Sequence, residues 1–244
     1  MSSSFFSKNN FKLNEIDSTN KFLYELNKTK HFNEPVVAIA DYQTSGRGRN
    51  DNSWESNRGE NLLLSILFNH ELKKDEQYNF SIIISLSIRK LISDYVKEKV
   101  YIKWPNDIIV CDKKISGFII DNIVRKNTVN TSIVGIGMNI NQLFFSKFIP
   151  PAISLSNLTD KTYDLDDIKN MLLKYIDTYY NNLNNNQLTE FNKHLYLKNK
   201  MQSFEVNKKL IRAKILGVNE KGELLVNQNG KKKRFKVNQV KYLL

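Results

Sequence analysis

Apolar residues in the first two-thirds of the chain fall into short runs and into longer stretches with helical spacing. The short runs are rich in β-branched residues and bounded by polar ones, which is typical of buried strands. They occupy residues 35–42, 61–68, 99–110 (two strands around a proline), 113–124 and 130–141. Helical spacing predicts helices over 18–28, 75–98 and 164–183. The second of these helices is opened by acidic residues and is apolar nearly all round, so it should be buried. Together these elements predict a mixed α/β sheet flanked by helices.

The pattern changes near Phe204, where short alternating segments are separated by "NEKG" and "QNGKK". Both are hairpin signals, so this region predicts a small β-barrel. We therefore expect two domains, over residues 1–200 and 201–244. The run "KKKR" (231–234) should be a solvated hairpin arm, a nucleic-acid patch or a surface that meets an acidic protein domain.

Composition limits the class of protein. Hydrophobic residues make up 41% of the chain, enough for a core, and the net charge of +12 could attract nucleic acid, a membrane surface or an acidic partner, or simply be solvated. The one cysteine, Cys111, excludes an internal disulfide and suits a reducing compartment; its apolar context predicts a core position. We expect no signal peptide, no membrane span and a cytoplasmic location.

The loop "QTSGRGRNDNSW" (43–54) separates two predicted strands and lacks any periodicity. Gly46 and Gly48 allow close backbone approach to a ligand, and Arg47 and Arg49 suit phosphate or carboxylate groups. Neither the P-loop nor the dinucleotide-binding fingerprint fits this spacing. On its own, the loop would be better explained as a flexible surface loop with solvated arginines.

Other motifs change that interpretation. Lys103 of "KWPND" ends a strand, although a turn with a packed tryptophan would explain the motif alone. Gly117 interrupts one strand, and Gly135 and Gly137 lie on one face of another, where close sheet–helix packing is the alternative reading. Taken together, the loop, the lysine and the glycines predict a narrow slot floored by backbone, with a cationic mouth.

The motifs "DSTN" (17–20), "YQTSGRGR…W" (42–54), "KWPND", "KISGFI" and "GIGMNIN" resemble, in order and spacing, those of the biotin protein ligases. The resemblance covers nearly the whole chain and is to the short form without an N-terminal DNA-binding domain. It implies a catalytic domain related to class II aminoacyl-tRNA synthetases, followed by an SH3-like barrel. The implied reaction joins ATP and biotin, with Mg²⁺, into biotinyl-5′-adenylate. A lysine of a biotin carboxyl carrier domain, part of a biotin-dependent carboxylase, then takes the biotinyl group.

The resemblance also implies roles for particular residues. For biotin these are Ser18, Thr19, Asn20, Gln43, Arg47, Gly48, Arg49, Lys103 and Gly117. For ATP they are Arg49, Trp54, Asn106 and Asn139. Lys103, Arg47 and Arg49 are the implied catalytic residues, with Lys103 between the biotin carboxylate and the α-phosphate. Asp107 is a weak candidate for a metal ligand. The expected protein is a monomer or weak homodimer that binds no specific DNA and no membrane.

One departure from the family and two alternatives stand beside this reading. The family commonly continues "GRGR" with a basic residue, a glycine and an arginine, where this chain has Asn50, Asp51 and Asn52, so loop closure is in question. A lipoate ligase or octanoyltransferase of the same fold is one alternative, but its Arg-Arg and glycine-triplet signals are missing. A nucleic-acid-binding module is the other, and "RFKVNQVKY" fits it only faintly. The three histidines show no metal-binding spacing.

Overall fold

The computed structural model describes residues 6, 9–49, 52–74, 76–146, 150–182 and 186–243. Its larger sheet has seven strands in the order β1-β2-β3-β7-β6-β5-β4. They are β1 (Asn10–Ile16), β2 (Val36–Gln43), β3 (Leu62–Lys73), β4 (Val100–Lys103), β5 (Asp107–Val110), β6 (Lys113–Arg125) and β7 (Thr128–Met138). Only β1 and β2 pair in parallel, and the other neighbours are antiparallel, so the sheet is mixed as predicted.

Five helices accompany this sheet in the described part of the chain. They are α1 (Thr19–Thr29), α2 (Tyr78–Ser93), α3 (Leu155–Thr159), α4 (Leu165–Asn181) and α5 (Asn186–Lys193). Ser18 and Asp164 cap α1 and α4 through their side chains, which satisfies backbone donors that a helix start leaves free. Among the residues described, no helix is long and apolar enough to cross a membrane.

The buried helix α2 packs beneath the larger sheet and forms its core. Eleven of its sixteen residues are buried, which confirms the prediction of a helix apolar nearly all round. It begins later than predicted, at Tyr78, and no acidic residue lies in its first turn. The acidic Glu76 precedes the helix and instead accepts a hydrogen bond from the backbone N–H of Lys73, the last residue of β3.

Three elements and one residue differ from the sequence-based expectations. Strand β1 and helices α3 and α5 were not predicted, since they are short or lie at a polar edge. Cys111 was expected in the core, which is wrong. It is exposed, with φ of 50°, in the tight turn that joins β5 to β6. The apolar run that precedes it, Ile108 to Val110, is buried in the core.

The second sheet has five antiparallel strands in the order β11-β10-β9-β8-β12. They are β8 (Met201–Val206), β9 (Lys209–Val218), β10 (Leu224–Gln228), β11 (Lys231–Phe235) and β12 (Val240–Leu243), with a 3₁₀ turn at Val237–Gln239. This is the predicted C-terminal β region. "KKKR" forms most of the edge strand β11 and all four side chains are exposed, so the run lies on a hairpin arm as predicted, while its role stays a prediction.

Candidate functional site

A cleft of about 760 Å³ lies where one face of the larger sheet meets the second sheet. Every residue implied by the family resemblance lines it: Ser18, Thr19, Asn20, Gln43, Arg47, Gly48, Arg49, Trp54, Lys103, Asn106, Asp107, Gly117 and Asn139. These residues come together from five separate stretches of sequence. The structure therefore places the whole predicted set at one site.

One end of the cleft is a buried polar recess at the start of α1. Thr19 donates to the Gln43 side chain through its backbone N–H (2.7 Å) and its hydroxyl (3.0 Å). The same hydroxyl lies 2.6 Å from that of Ser65, which donates to Asn20 Oδ1 at 2.6 Å. Asn20 Nδ2 in turn donates to Asp121 at 3.0 Å. A connected network of this kind holds several donors and acceptors in fixed positions around the recess.

The floor of the cleft is built from glycines on neighbouring strands. Gly117 of β6 pairs with Gly137 of β7, and Gly135 lies two residues earlier on the same face. A Cβ atom at Gly135 would overlap the amide of Asn20, and one at Gly137 would overlap the ring of Trp54. At Gly117 it would come within 2.9 Å of the Lys114 side chain. The glycines thus leave a slot that any larger residue would fill, as the sequence predicted.

Two lysines share one buried carboxylate beside this floor. Asp107, at the start of β5, lies 2.7 Å from Lys114 Nζ and 3.1 Å from Lys103 Nζ. Burial alone would raise the pKa of Asp107, but the charges of Lys114 and Lys103 outweigh burial and hold that pKa below its usual value. The site therefore carries a fixed arrangement of two ammonium groups and one carboxylate, with a net positive charge.

The arginine loop folds back over the cleft as a small hairpin. Arg47 bridges to Ser53, and the Gly48 N–H donates to the carbonyl of Asn52 at 2.6 Å. Burial lowers the pKa of Arg49, and the nearby charge of Asp107 opposes that shift. The predicted effect of the Asn50-Asp51-Asn52 departure stays a prediction, because residues 50 and 51 lie outside the described residues.

Trp54 ends the loop and lies directly on the glycine floor. Its ring faces Gly137 and Gly117, and the ammonium of Lys114 lies 5.4 Å from the ring centroid. Its buried Nε1 has no hydrogen-bond partner among the described residues. The indole therefore covers the slot. Its cation–π contact with Lys114 and its packing against the glycines hold it in place.

Asn106 and Asn139 are tied to the backbone around the cleft. Asn106 donates to the carbonyl of Phe118 at 2.6 Å, and Asn139 donates to that of Ile153 at 3.1 Å. Within the described ranges, no group of three or more His, Cys, Asp or Glu side chains could hold a metal ion. Both oxygens of Asp107 already accept from lysines, so nothing supports its weak assignment as a metal ligand.

Several cleft residues were not predicted from the sequence. Lys114 stands three residues before Gly117 in the quoted motif "KISGFI", which was the available signal for it. The second sheet contributes Asn238, which accepts from Arg49 at 3.4 Å, and Tyr242, whose ring centroid lies 5.3 Å from Lys103 Nζ. Nothing local in the sequence marks these two residues, because their role depends on how the two sheets pack.

The arrangement suits a ligand with a polar head, an apolar body and an anionic tail. The recess offers hydrogen bonds, and the slot offers backbone and an aromatic surface. The mouth offers four cations of the larger sheet and its loop, Arg47, Arg49, Lys103 and Lys114, with Lys241 of the second sheet at the rim. Cations held in a partly buried site can stabilise negative charge without reorganising.

Comparison with curated proteins gives relatives that share part of this chain. It is 30% identical over 125 residues to the bifunctional ligase/repressor BirA of Escherichia coli, which is 51% of this chain and 38% of that protein. It is 32% identical over 148 residues to the biotin–protein ligase of Schizosaccharomyces pombe, covering 53% of this chain and 22% of that protein. The matched region is thus well under half the length of these relatives.

Solved structures match over nearly the whole chain. The biotin protein ligase from Aquifex aeolicus in complex with biotin and ATP has a TM-score of 0.79 and 26% identity, over 96% of this chain and 98% of that one. The ligase from Leishmania major with biotinyl-5-AMP, at 22% identity and a TM-score of 0.66, shares the fold. The model of the biotin/lipoate A/B protein ligase family matches residues 13–139, more than half of the chain. The chain therefore belongs to the biotin/lipoate A/B protein ligase family.

Proposed function

We propose that this protein is a biotin protein ligase, which forms biotinyl-5′-adenylate from biotin and ATP and then biotinylates a lysine of a carrier domain. The observation that carries the proposal is the union, in one cleft, of a polar recess, a glycine-floored slot and four cations. The similarity to ligases with biotin and ATP bound supports the same reaction.

The cations would act in the first half-reaction. A biotin carboxylate oxygen attacks the α-phosphorus of ATP and pyrophosphate leaves, so two anionic groups must approach each other. Lys103 and Lys114, fixed by Asp107, would lie between these groups, and Arg47 and Arg49 would close over them. Positive charge already in place lowers the barrier because no side chain has to move as charge develops.

The recess favours biotin over the lipoyl and octanoyl groups of the alternative function. Biotin's ureido ring presents two N–H donors and one carbonyl acceptor, which Ser18, Thr19, Asn20 and Gln43 could satisfy. A dithiolane ring or an alkyl chain would form no hydrogen bonds with this network and would bury its remaining donor and acceptor capacity against apolar atoms, where each group left without a partner costs about 1–3 kcal/mol. A polar recess therefore discriminates against both.

Nucleotide binding is proposed for the opposite end of the slot. Trp54 would stack on the adenine after a movement of its ring, while Arg49, Asn106 and Asn139 would border the nucleotide and Gly48 and Gly117 would allow close approach. Mg²⁺ does not fit a protein-held site here, because Asp107 is occupied by two lysines. We expect the metal to arrive on the phosphates of ATP, as is common for Mg²⁺.

The second half-reaction requires a protein partner. The ε-amine of a carrier lysine would attack the acyl carbon of the adenylate, lose a proton and release AMP. We further propose a division into a catalytic domain over 1–200 and a C-terminal domain over 201–244, since the second sheet begins at Met201. A monomer or weak homodimer in the cytoplasm, without specific DNA binding, completes the proposal. The exposed thiol of Cys111 suits a reducing compartment.

One assay tests the activity. The protein is incubated with α-labelled ATP and biotin, lipoate or octanoate in separate reactions, and the acyl-adenylate is separated from ATP. We expect an adenylate with biotin alone. In a parallel reaction with labelled biotin and unlabelled ATP, we expect the biotinyl group on one lysine of an added biotin carboxyl carrier domain. An adenylate formed with lipoate or octanoate but not biotin would establish the alternative function instead.

A further inference from the structure

The C-terminal sheet holds most of the excess charge of the chain. Residues 201–243 contain eleven lysines and arginines and three acidic residues, a net charge of +8 out of +12 for the whole chain. This concentration in less than a fifth of the sequence is uneven enough to need a physical reason. A uniformly solvated surface would spread the charge over both sheets.

Five of these cations share the outward face of the second sheet, which we call the basic face: Arg212, Lys214, Lys232, Arg234 and Lys241. The strand register places Lys214 level with Asn227 and Lys232. The residues on either side of Lys214, Ala213 and Ile215, are buried and point into the core. All five cations are exposed, and within the described part of the chain none forms an ion pair. Two of these cations lie on β9 and two on β11, with β10 between the strands, so like charges face the same solvent and an anionic partner would be stabilising here.

The basic face begins at the rim of the cleft. Lys241 of β12 lies opposite Glu205 of β8 in the strand register, and both residues point outward from the second sheet and line the cleft. From β12 the sheet continues through four strand spacings to β11, about 19 Å at the usual separation. A small domain that placed a side chain in the cleft would therefore lie across this face.

The composition of the face fits a protein better than a nucleic acid. Three apolar side chains lie among the cations and are exposed by 50% (Met201), 69% (Leu210) and 38% (Leu243). Apolar groups within a charged rim are typical of protein interfaces. Single-stranded nucleic acids are usually bound by stacking on aromatic rings, and none points outward from this face.

We propose that the basic face is the docking surface for the carrier domain, and that the partner presents an acidic surface beside its target lysine. This inference rests on the proposed function and adds the chemistry and place of its protein substrate. Long-range attraction between such surfaces would mainly raise the rate of association, typically by 10–10³ at low salt.

The test reverses four charges that lie outside the catalytic machinery, in the variant Arg212→Glu/Lys214→Glu/Lys232→Glu/Arg234→Glu. The matched control is Lys74→Glu/Lys97→Glu/Lys99→Glu/Lys126→Glu, which changes net charge equally at exposed lysines away from the cleft. Two rates are measured: adenylate formation without carrier, and kcat/KM for a biotin carboxyl carrier domain with an acidic surface near its lysine. Both are repeated at low and high salt.

We expect unchanged adenylate formation in both variants, and a fall of about tenfold or more in kcat/KM for the carrier in the basic-face variant alone, at low salt. Neutralising the carrier's own carboxylates should remove that difference. Equal carrier kinetics in the parent and the basic-face variant would overturn the inference, as would loss of binding to a DNA duplex with no change in carrier labelling. A parent protein that forms no biotinyl-adenylate would instead refute the proposed function.

Discussion

Asp107 is the residue on which the cation arrangement depends. Its carboxylate is shared by Lys103 and Lys114 in a largely buried position. Replacing it in Asp107→Asn leaves two ammonium groups close together without a counter-charge. Removing one member of a buried ion pair typically costs about 3–5 kcal/mol. We expect a loss of that size in the free energy of unfolding, measured by urea denaturation at pH 7.

The pH dependence of that loss follows from the pKa of Asp107. The lysines lower this pKa in the folded state, so the carboxylate stabilises the protein at and above the unfolded-state pKa, near 4. Its contribution disappears as the pH falls through the lower, folded-state value. The stability difference between the parent and Asp107→Asn should therefore be full at pH 5–7 and shrink towards pH 3. A difference that stays constant over this range would contradict the assignment.

Lys103 and Lys114 should both be needed for adenylate formation. We expect Lys103→Met and Lys114→Met each to lower the single-turnover rate of that step by about 10²–10³, since each removes a fixed charge beside the reacting anions. Methionine keeps much of the apolar stem. The control is Lys113→Met, an exposed neighbour whose change should leave the rate at the parental value. A parental rate in Lys103→Met would make Lys103 structural only.

Arg49 should retain the adenylate after it forms. Arg49→Gly removes a charged hydrogen-bonding group worth about 1.5–3 kcal/mol, which corresponds to one to two decades in dissociation rate. The adenylate would then escape and acylate lysines of unrelated proteins. The measurements are the adenylate off-rate and the labelling of an added bystander protein. Asn238→Ala, which removes only the Arg49 contact at 3.4 Å, should have a much smaller effect.

At the scale of elements, strand β7 sets the shape of the slot through its glycines. Gly137→Ala would force the Trp54 ring off the floor, because the new Cβ overlaps it. Overpacking of this kind typically costs about 1–3 kcal/mol. We expect lower stability and loss of biotin binding, measured by thermal unfolding and calorimetry. The double variant Gly137→Ala/Trp54→Ala should recover stability but not binding; if the double variant stays as unstable, the clash is not the cause.

The elements show which parts of the fold the sequence could predict. The strands of the central sheet were predictable because they are buried on both faces and read as continuous apolar runs. Strand β1 was missed because "NFKLNEI" lies at the sheet edge with most side chains exposed. Helix α5 was missed because the segment is rich in polar residues and only Phe191 anchors it deeply among its apolar side chains.

At the scale of the whole molecule, the site has a component that no local pattern could indicate. The loop arginines, the strand-end lysine and the glycines each carry a signal of their own, so the larger sheet's share of the cleft was predictable. Asn238 and Tyr242 carry no such sequence signal, because a short polar turn and a strand of alternating residues occur in any small β-barrel. Their placement depends on the packing of the two sheets, which brings residues far apart in sequence into contact.

The contact between the sheets is anchored by Trp104, which is 1% exposed and donates from Nε1 to the carbonyl of Gly222 at 3.0 Å. Trp104→Phe keeps a ring in place but leaves that carbonyl unpaired, at a cost of about 1–3 kcal/mol. Because Tyr242 and Asn238 reach the cleft only while the second sheet is seated, a small displacement should also slow adenylate formation. The matched control is Tyr196→Phe, which removes a hydrogen bond to Asp112 away from the cleft. We expect both variants to lose stability in thermal unfolding, but only Trp104→Phe to lose activity at a temperature where both are folded. Equal activity in the two would mean that the larger sheet forms the catalytic site without help from the second.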